Sequence, residues 1–145
     1  MINRSLIPGL SHEFTFRIPH DKTVPHLYPE SQEFSAMPEV LATGYMVGLF
    51  EWACIRATNP FIDWPREQTV GTHICVSHEA PTPPGLTVTV TVRLERVEGR
   101  KLLFTITAHD GIDKISEGTH ERFIIEASRF NEKARAKGVR GLEEK

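Results

Sequence analysis

EVLATGYMVGLFEWACIRA (residues 39–57) is the stretch on which the fold turns. It has no proline, is rich in helix formers, and carries apolar side chains on every side of a helical wheel rather than along one stripe. This pattern predicts a helix buried nearly all round. Between Glu39 and Arg56 its one carboxylate is Glu51, set between Phe50 and Trp52.

Working outward, Phe14, Phe16 and Ile18 alternate with Glu13, Thr15 and Arg17, the period of a half-buried strand. Residues 19–38 carry four prolines and scattered His, Tyr and Phe, so they read as a long irregular loop with apolar anchors. Downstream of a breaker cluster at 59–66, Val70, Thr72, Ile74, Val76 and His78 share one strand face by simple alternation. Gly71, His73, Cys75 and Ser77 take the other. Leu86 to Glu95 gives the cleanest strand signal, and Leu102, Phe104, Ile106 and Ala108 mark another. Asp110–Gly111 signals a hairpin into a last strand through Ile115, Phe123 and Ile125, where Gly118 suggests a bulge or a close backbone approach. From Ser128 a basic tail reads as a short, solvated helix. One strand, one long helix and four strands joined by short turns resolve as an α+β, five-stranded antiparallel sheet around its helix, the hot-dog arrangement. A lone unit of this kind leaves a sheet edge and part of the helix uncovered, so a symmetric dimer is expected.

With 145 residues the chain is expected to form one domain, a core at 12–127 followed by the tail at 128–145. The net charge of −2, from 17 basic and 19 acidic residues, offers no footprint for nucleic acid or anionic lipid. A small-molecule partner fits better. Cys54 and Cys75 form no C-x-x-C pair, the first 14 residues lack the apolar core of a signal peptide, and no run approaches the roughly 20 residues of a membrane helix. These features predict a cytoplasmic protein with reduced thiols.

Burial on an apolar helix should raise the pKa of Glu51 unless a cation or hydrogen-bond donors compensate. In a cleft it would act as base or nucleophile; elsewhere it would pair with an arginine. Thr43 lies eight residues earlier, about 12 Å along a helix, too far for contact within one continuous helix. It reads as an N-cap, or as a group meeting Glu51 across a substrate or a dimer. His78 reads as a core histidine, or, with a carboxylate nearby, as a proton carrier. Arg122 is either a partner for Glu51 or a ligand clamp. The seven histidines show no metal-ligand spacing.

The segments HLYPES (26–31), TGYMVGLFEWACIRA (43–57), GTHICVSH (71–78), TPPGLTVTV (82–90), VEGR (97–100), AHDG (108–111) and GTHER (118–122) together resemble the fluoroacetyl-CoA thioesterase family of hot-dog hydrolases. The resemblance runs from about residue 12 to residue 137. It implies a homodimer that hydrolyses a short acyl-CoA without metal or organic cofactor. It implies Thr43, Glu51 and His78 as the catalytic set, with Gly71 supplying an oxyanion donor and, together with Arg122, lining the acyl pocket. Val24, Leu27, Phe34 and Met37 fall on its lid and pocket positions, where Met37 departs from a phenylalanine gate. A non-catalytic acyl-CoA-binding module on the same fold is the rival expectation. A hydratase is weaker, because its Asp/His motif does not appear at the helix start.

Overall fold

The computed structural model describes residues 6–143. Its elements are β1 (Ser11–Arg17), a one-turn helix α1 (Gln32–Ser35), α2 (Thr43–Thr58), β2 (Glu67–Val76), β3 (Thr87–Glu98), β4 (Lys101–His109), β5 (Lys114–Glu126) and α3 (Ala127–Glu143). The strands form one sheet in the order β1-β3-β4-β5-β2, every neighbour antiparallel. This is the hot-dog arrangement that the element order predicts. Helix α2 lies across β1 and β3. It sends Met46, Leu49, Phe50, Ala53, Cys54 and Ala57 into a core shared with Val88, Val90, Val92 and Leu94 of β3 and Leu102, Phe104 and Ile106 of β4.

Several expectations change. The central helix begins at Thr43, not at residue 39, because residues 40–42 spend their backbone groups elsewhere. Val24 N–H donates to the Val40 carbonyl, Leu41 N–H to the Thr82 carbonyl and Ala42 N–H to the Lys22 carbonyl. Nor is the helix buried all round: Gly44, Gly48, Trp52 and Arg56 are exposed, with Val47, Glu51 and Ile55 half-buried beside them. One face of α2 is therefore uncovered in a single chain. The basic tail is not short, since α3 runs 17 residues with none of them buried. The loop before α2 also holds some regular structure, in α1 and two short 3-10 turns; the Ser31 hydroxyl caps α1 by accepting from Phe34 N–H at 3.1 Å.

The alternation along β2 is broken. The pairing of β2 with β5 shifts register between Gly71 and His73, so Thr72 is an extra, bulged residue. Simple alternation puts Gly71 opposite His78. With the bulge, Thr69 and Gly71 instead share the inward face of Ile74 and Val76, which pack on the core. Gly118 on β5 marks a close approach, since a Cβ there would sit 2.0 Å from the Cys75 carbonyl oxygen.

Candidate active site

Thr43 is not an N-cap. Ala42 holds that position and Thr43 is the first helical residue, so its hydroxyl is left for another partner. That partner is His78, with Oγ1 2.8 Å from Nδ1. His78 lies two residues past the end of β2, in the connection to β3. Its other ring nitrogen, Nε2, is buried and has no hydrogen-bond partner. Partial burial holds its pKa below the ordinary histidine value, favouring the neutral ring.

Glu51 sits two turns along α2, and what it meets comes from β5 and β2. Arg122 Nη1 donates to Glu51 Oε2 at 2.9 Å. The guanidinium is buried, whereas the carboxylate side chain keeps 41% of its exposure. The carboxyl is therefore not desolvated, being half open to solvent, and the arginine partner that the sequence reading held open is beside it. Arg122 is in turn anchored on β2: Nε donates to Thr69 Oγ1 at 2.8 Å and Nη2 to the Thr69 carbonyl at 2.7 Å. Between the two lies Gly71, where a Cβ would sit 2.8 Å from Glu51 Oε2 and 3.4 Å from Arg122 Nη1. A glycine there lets the carboxylate and its partners come this close to the β2 backbone.

The sequence reading missed one member of this cluster. His120 is buried two residues before Arg122, on the same face of β5, and its Nε2 lies 3.1 Å from Arg122 Nη1. Period-two spacing within GTHER was the available signal. By itself that spacing does not separate a site histidine from one that only fills the core.

The lid residues divide. Leu27 lies against the N-terminal turn of α2, its Cδ atoms 3.3 Å from where a Gly44 Cβ would be. Phe34 packs on Tyr28 with ring centroids 5.6 Å apart, and Val24 is half-buried. Met37 follows α1 and is 51% exposed. A partly enclosed apolar pocket of about 260 Å³, walled by Phe16, Tyr45 and Trp52 with Lys22 at its side, lies along the same helix but is not lined by Glu51. In one chain, then, two polar groups stand at separate places on α2. One is Thr43 with His78; the other is Glu51 with Arg122, Thr69, Gly71 and His120. Together they offer a histidine able to carry a proton and a half-exposed carboxylate oriented by a buried arginine, a combination suited to acyl transfer to water.

Comparison with known proteins agrees with this chemistry. The family of fluoroacetyl-CoA-specific thioesterases matches residues 24–128. The fluoroacetyl-CoA thioesterase of Streptantibioticus cattleyicolor is 56% identical over 131 residues, covering 90% of this chain and 92% of that protein. A solved structure of a fluoroacetyl-CoA thioesterase superposes with a TM-score of 0.87 at 56% identity, over 90% of this chain and 96% of the other. A thioesterase-superfamily protein from Thermus thermophilus superposes with a TM-score of 0.83 at 25% identity, over 97% and 98% of the two chains.

Proposed function

The chain belongs to the fluoroacetyl-CoA-specific thioesterase family, and from that premise we propose that it is a homodimeric, cytoplasmic hydrolase of short acyl-CoA thioesters, fluoroacetyl-CoA or a close relative, in which Glu51, Thr43 and His78 carry the reaction. The observation that supports this reading is the Glu51 carboxylate, open to solvent on one side and held by a buried arginine against the Gly71 backbone.

Hydrolysis needs a nucleophile, a site for the oxyanion and departure of a thiolate. A thiol with a pKa of about 8.5 leaves readily, so protonating the leaving group matters less than in amide cleavage. Glu51 supplies the carboxylate, either drawing a proton from an attacking water or attacking the carbonyl itself. Thr43 and the neutral His78 orient the reacting group and carry the proton onward. The Gly71 N–H serves as an oxyanion donor, a contact typically worth about 2.7–4 kcal/mol. Arg122 holds the carboxylate in place.

A dimer would complete the site. Thr43 and Glu51 stand about 12 Å apart along α2, with Val47 midway between them and the exposed Gly48 next to it. A twofold axis near residue 47 would set two copies of α2 antiparallel. Each Glu51 would then face the partner's Thr43 and His78, and the uncovered helix face would be buried. Val24, Leu27, Phe34 and Met37 would lie over the acyl group, close to the helix start.

A thiol-release assay with acetyl-, fluoroacetyl-, propionyl- and aryl-CoA tests the reaction. Turnover of the small acyl groups is expected, and binding without release would overturn the proposal. Mixing Glu51→Gln with His78→Ala chains tests the assembly. If the site is shared between protomers, subunit exchange restores about a quarter of wild-type activity, because half the dimers are mixed and each holds one intact site of two. No restoration would place all three groups in one chain.

A further inference from the structure

His120 has two partners, and each dictates one of its ring nitrogens. Nδ1 lies 2.8 Å from the His73 carbonyl oxygen, which can only accept, so Nδ1 bears the proton. Nε2 lies 3.1 Å from Arg122 Nη1, which can only donate, so Nε2 must be a bare acceptor. Both constraints are met by one species alone, the neutral Nδ1–H tautomer. Burial favours the same species by holding the His120 pKa below the ordinary value.

The consequence reaches Glu51 through a single nitrogen. Arg122 Nη1 has two hydrogens; one goes to Glu51 Oε2 and the other to His120 Nε2. Of the three remaining guanidinium N–H groups, Nε–H and one of the two on Nη2 donate to Thr69. His120 thus takes the second hydrogen of the nitrogen that aims the carboxylate, and its Cε1 stands 3.2 Å from where a Gly71 side chain would begin. We propose that His120 is a positioning residue for hydrolysis: its neutral ring fixes the rotation of the Arg122 guanidinium and so holds Glu51 in place against Gly71. The proposal rests on the reading of Glu51 as the reacting carboxylate.

A proton on Nε2 would point N–H at N–H and release Nη1. The charged groups around the ring are Arg122 and Glu121 on its own strand and Glu51 on α2. From β2 it meets only the His73 carbonyl among these polar partners, and its register partner on β4 is Phe104.

The full-length protein is compared with His120→Gln and His120→Phe. Glutamine can return an acceptor to Arg122 without being able to protonate; phenylalanine keeps the ring shape with neither polar atom. For His120→Phe, kcat is expected to fall on the order of 10- to 100-fold, the scale of a small misplacement of a reacting group. KM should stay within about twofold, since this changes orientation and not binding. His120→Gln should recover most of kcat. A wild-type kcat in His120→Phe, or equal losses in both variants, would overturn the proposal while leaving thioester hydrolysis by the wild type untouched. Nitrogen-15 NMR of the wild type is a second arm, independent of turnover. It should show His120 as neutral Nδ1–H at pH 7, and an Nε2–H or doubly protonated ring would overturn the arrangement even if the protein proved to hydrolyse nothing.

Discussion

Arg122 Nη1 meets Glu51 Oε2 at 2.9 Å, a buried cation holding a carboxylate that is itself nearly half exposed. The asymmetry sorts what each partner does. Arg122 retains both Thr69 contacts and His120 without Glu51, so it stays satisfied. Glu51→Gln should therefore lower kcat by at least about 10²-fold, the scale of lost acid–base catalysis. Stability should fall by about 1–3 kcal/mol, because the buried guanidinium keeps its hydrogen-bond partners but loses its counter-charge. Thiol release and a denaturant titration on the same preparation check both halves.

Gly71→Ala is expected to displace the carboxylate. The new methyl would stand 2.8 Å from Glu51 Oε2, the mobile end of a side chain, so the carboxylate gives way and the bond to Arg122 is strained or lost. Activity should fall by about tenfold or more, in line with a misplacement of the order of 1 Å, while the melting temperature changes little. A fully active variant would show that the carboxylate does not work from this position.

Acid should cost both activity and stability. Burial lowers the pKa of His78 and of His120 in the folded chain below the ordinary value of 6.5. Above 6.5 both rings are neutral whether the chain is folded or unfolded, and nothing is lost. As pH falls below 6.5 the unfolded chain takes up protons that the folded chain resists, so stability declines from there down to the lower folded values. With His78 acting in its neutral form, as proposed, kcat/KM should fall along an acid limb whose midpoint lies below 6.5. Calorimetry and a pH–rate profile measure the two effects, and His78→Ala should remove its share of the stability loss.

The two thiols should differ sharply. Cys54 is buried on the inner side of α2, and its pKa is pushed up to about 12, chiefly by desolvation. Cys75 is exposed on β2. Since the thiolate is the reactive form, a disulfide reagent at pH 8 should modify one thiol per native chain and two after denaturation. Rapid reaction of both in the native protein would contradict the packing of α2.

Met37 tests the lid. It is half exposed at the end of α1, and its flexible thioether fills space less rigidly than an aromatic ring. Met37→Phe should raise the ratio of kcat/KM for fluoroacetyl-CoA over acetyl-CoA. An unchanged ratio would remove Met37 from the acyl pocket.

What could be read along the chain was what local periodicity encodes. Apolar residues every second position placed β1, β3 and β4, the Asp110–Gly111 hairpin signal placed β5, and the proline-free run around Glu51 placed the central helix, because those patterns arise within single elements. Glu51, Thr43 and His78 also stood out, the first as a lone carboxylate in an apolar run. Tertiary structure decided the rest. The bulge at Thr72 adds one residue to β2 and so reverses which side chains beyond it face inward, an outcome set by pairing with β5 and invisible to alternation alone. Backbone bonds to Thr82 and Lys22 moved the helix start to Thr43 and freed its hydroxyl for His78. Arg122 reaches Glu51 across 71 residues of chain, and His120 closes on Arg122 only because β5 carries both beneath α2. Such contacts depend on directions fixed when the sheet and helix pack, so the residue types announced a site while its geometry waited on the fold.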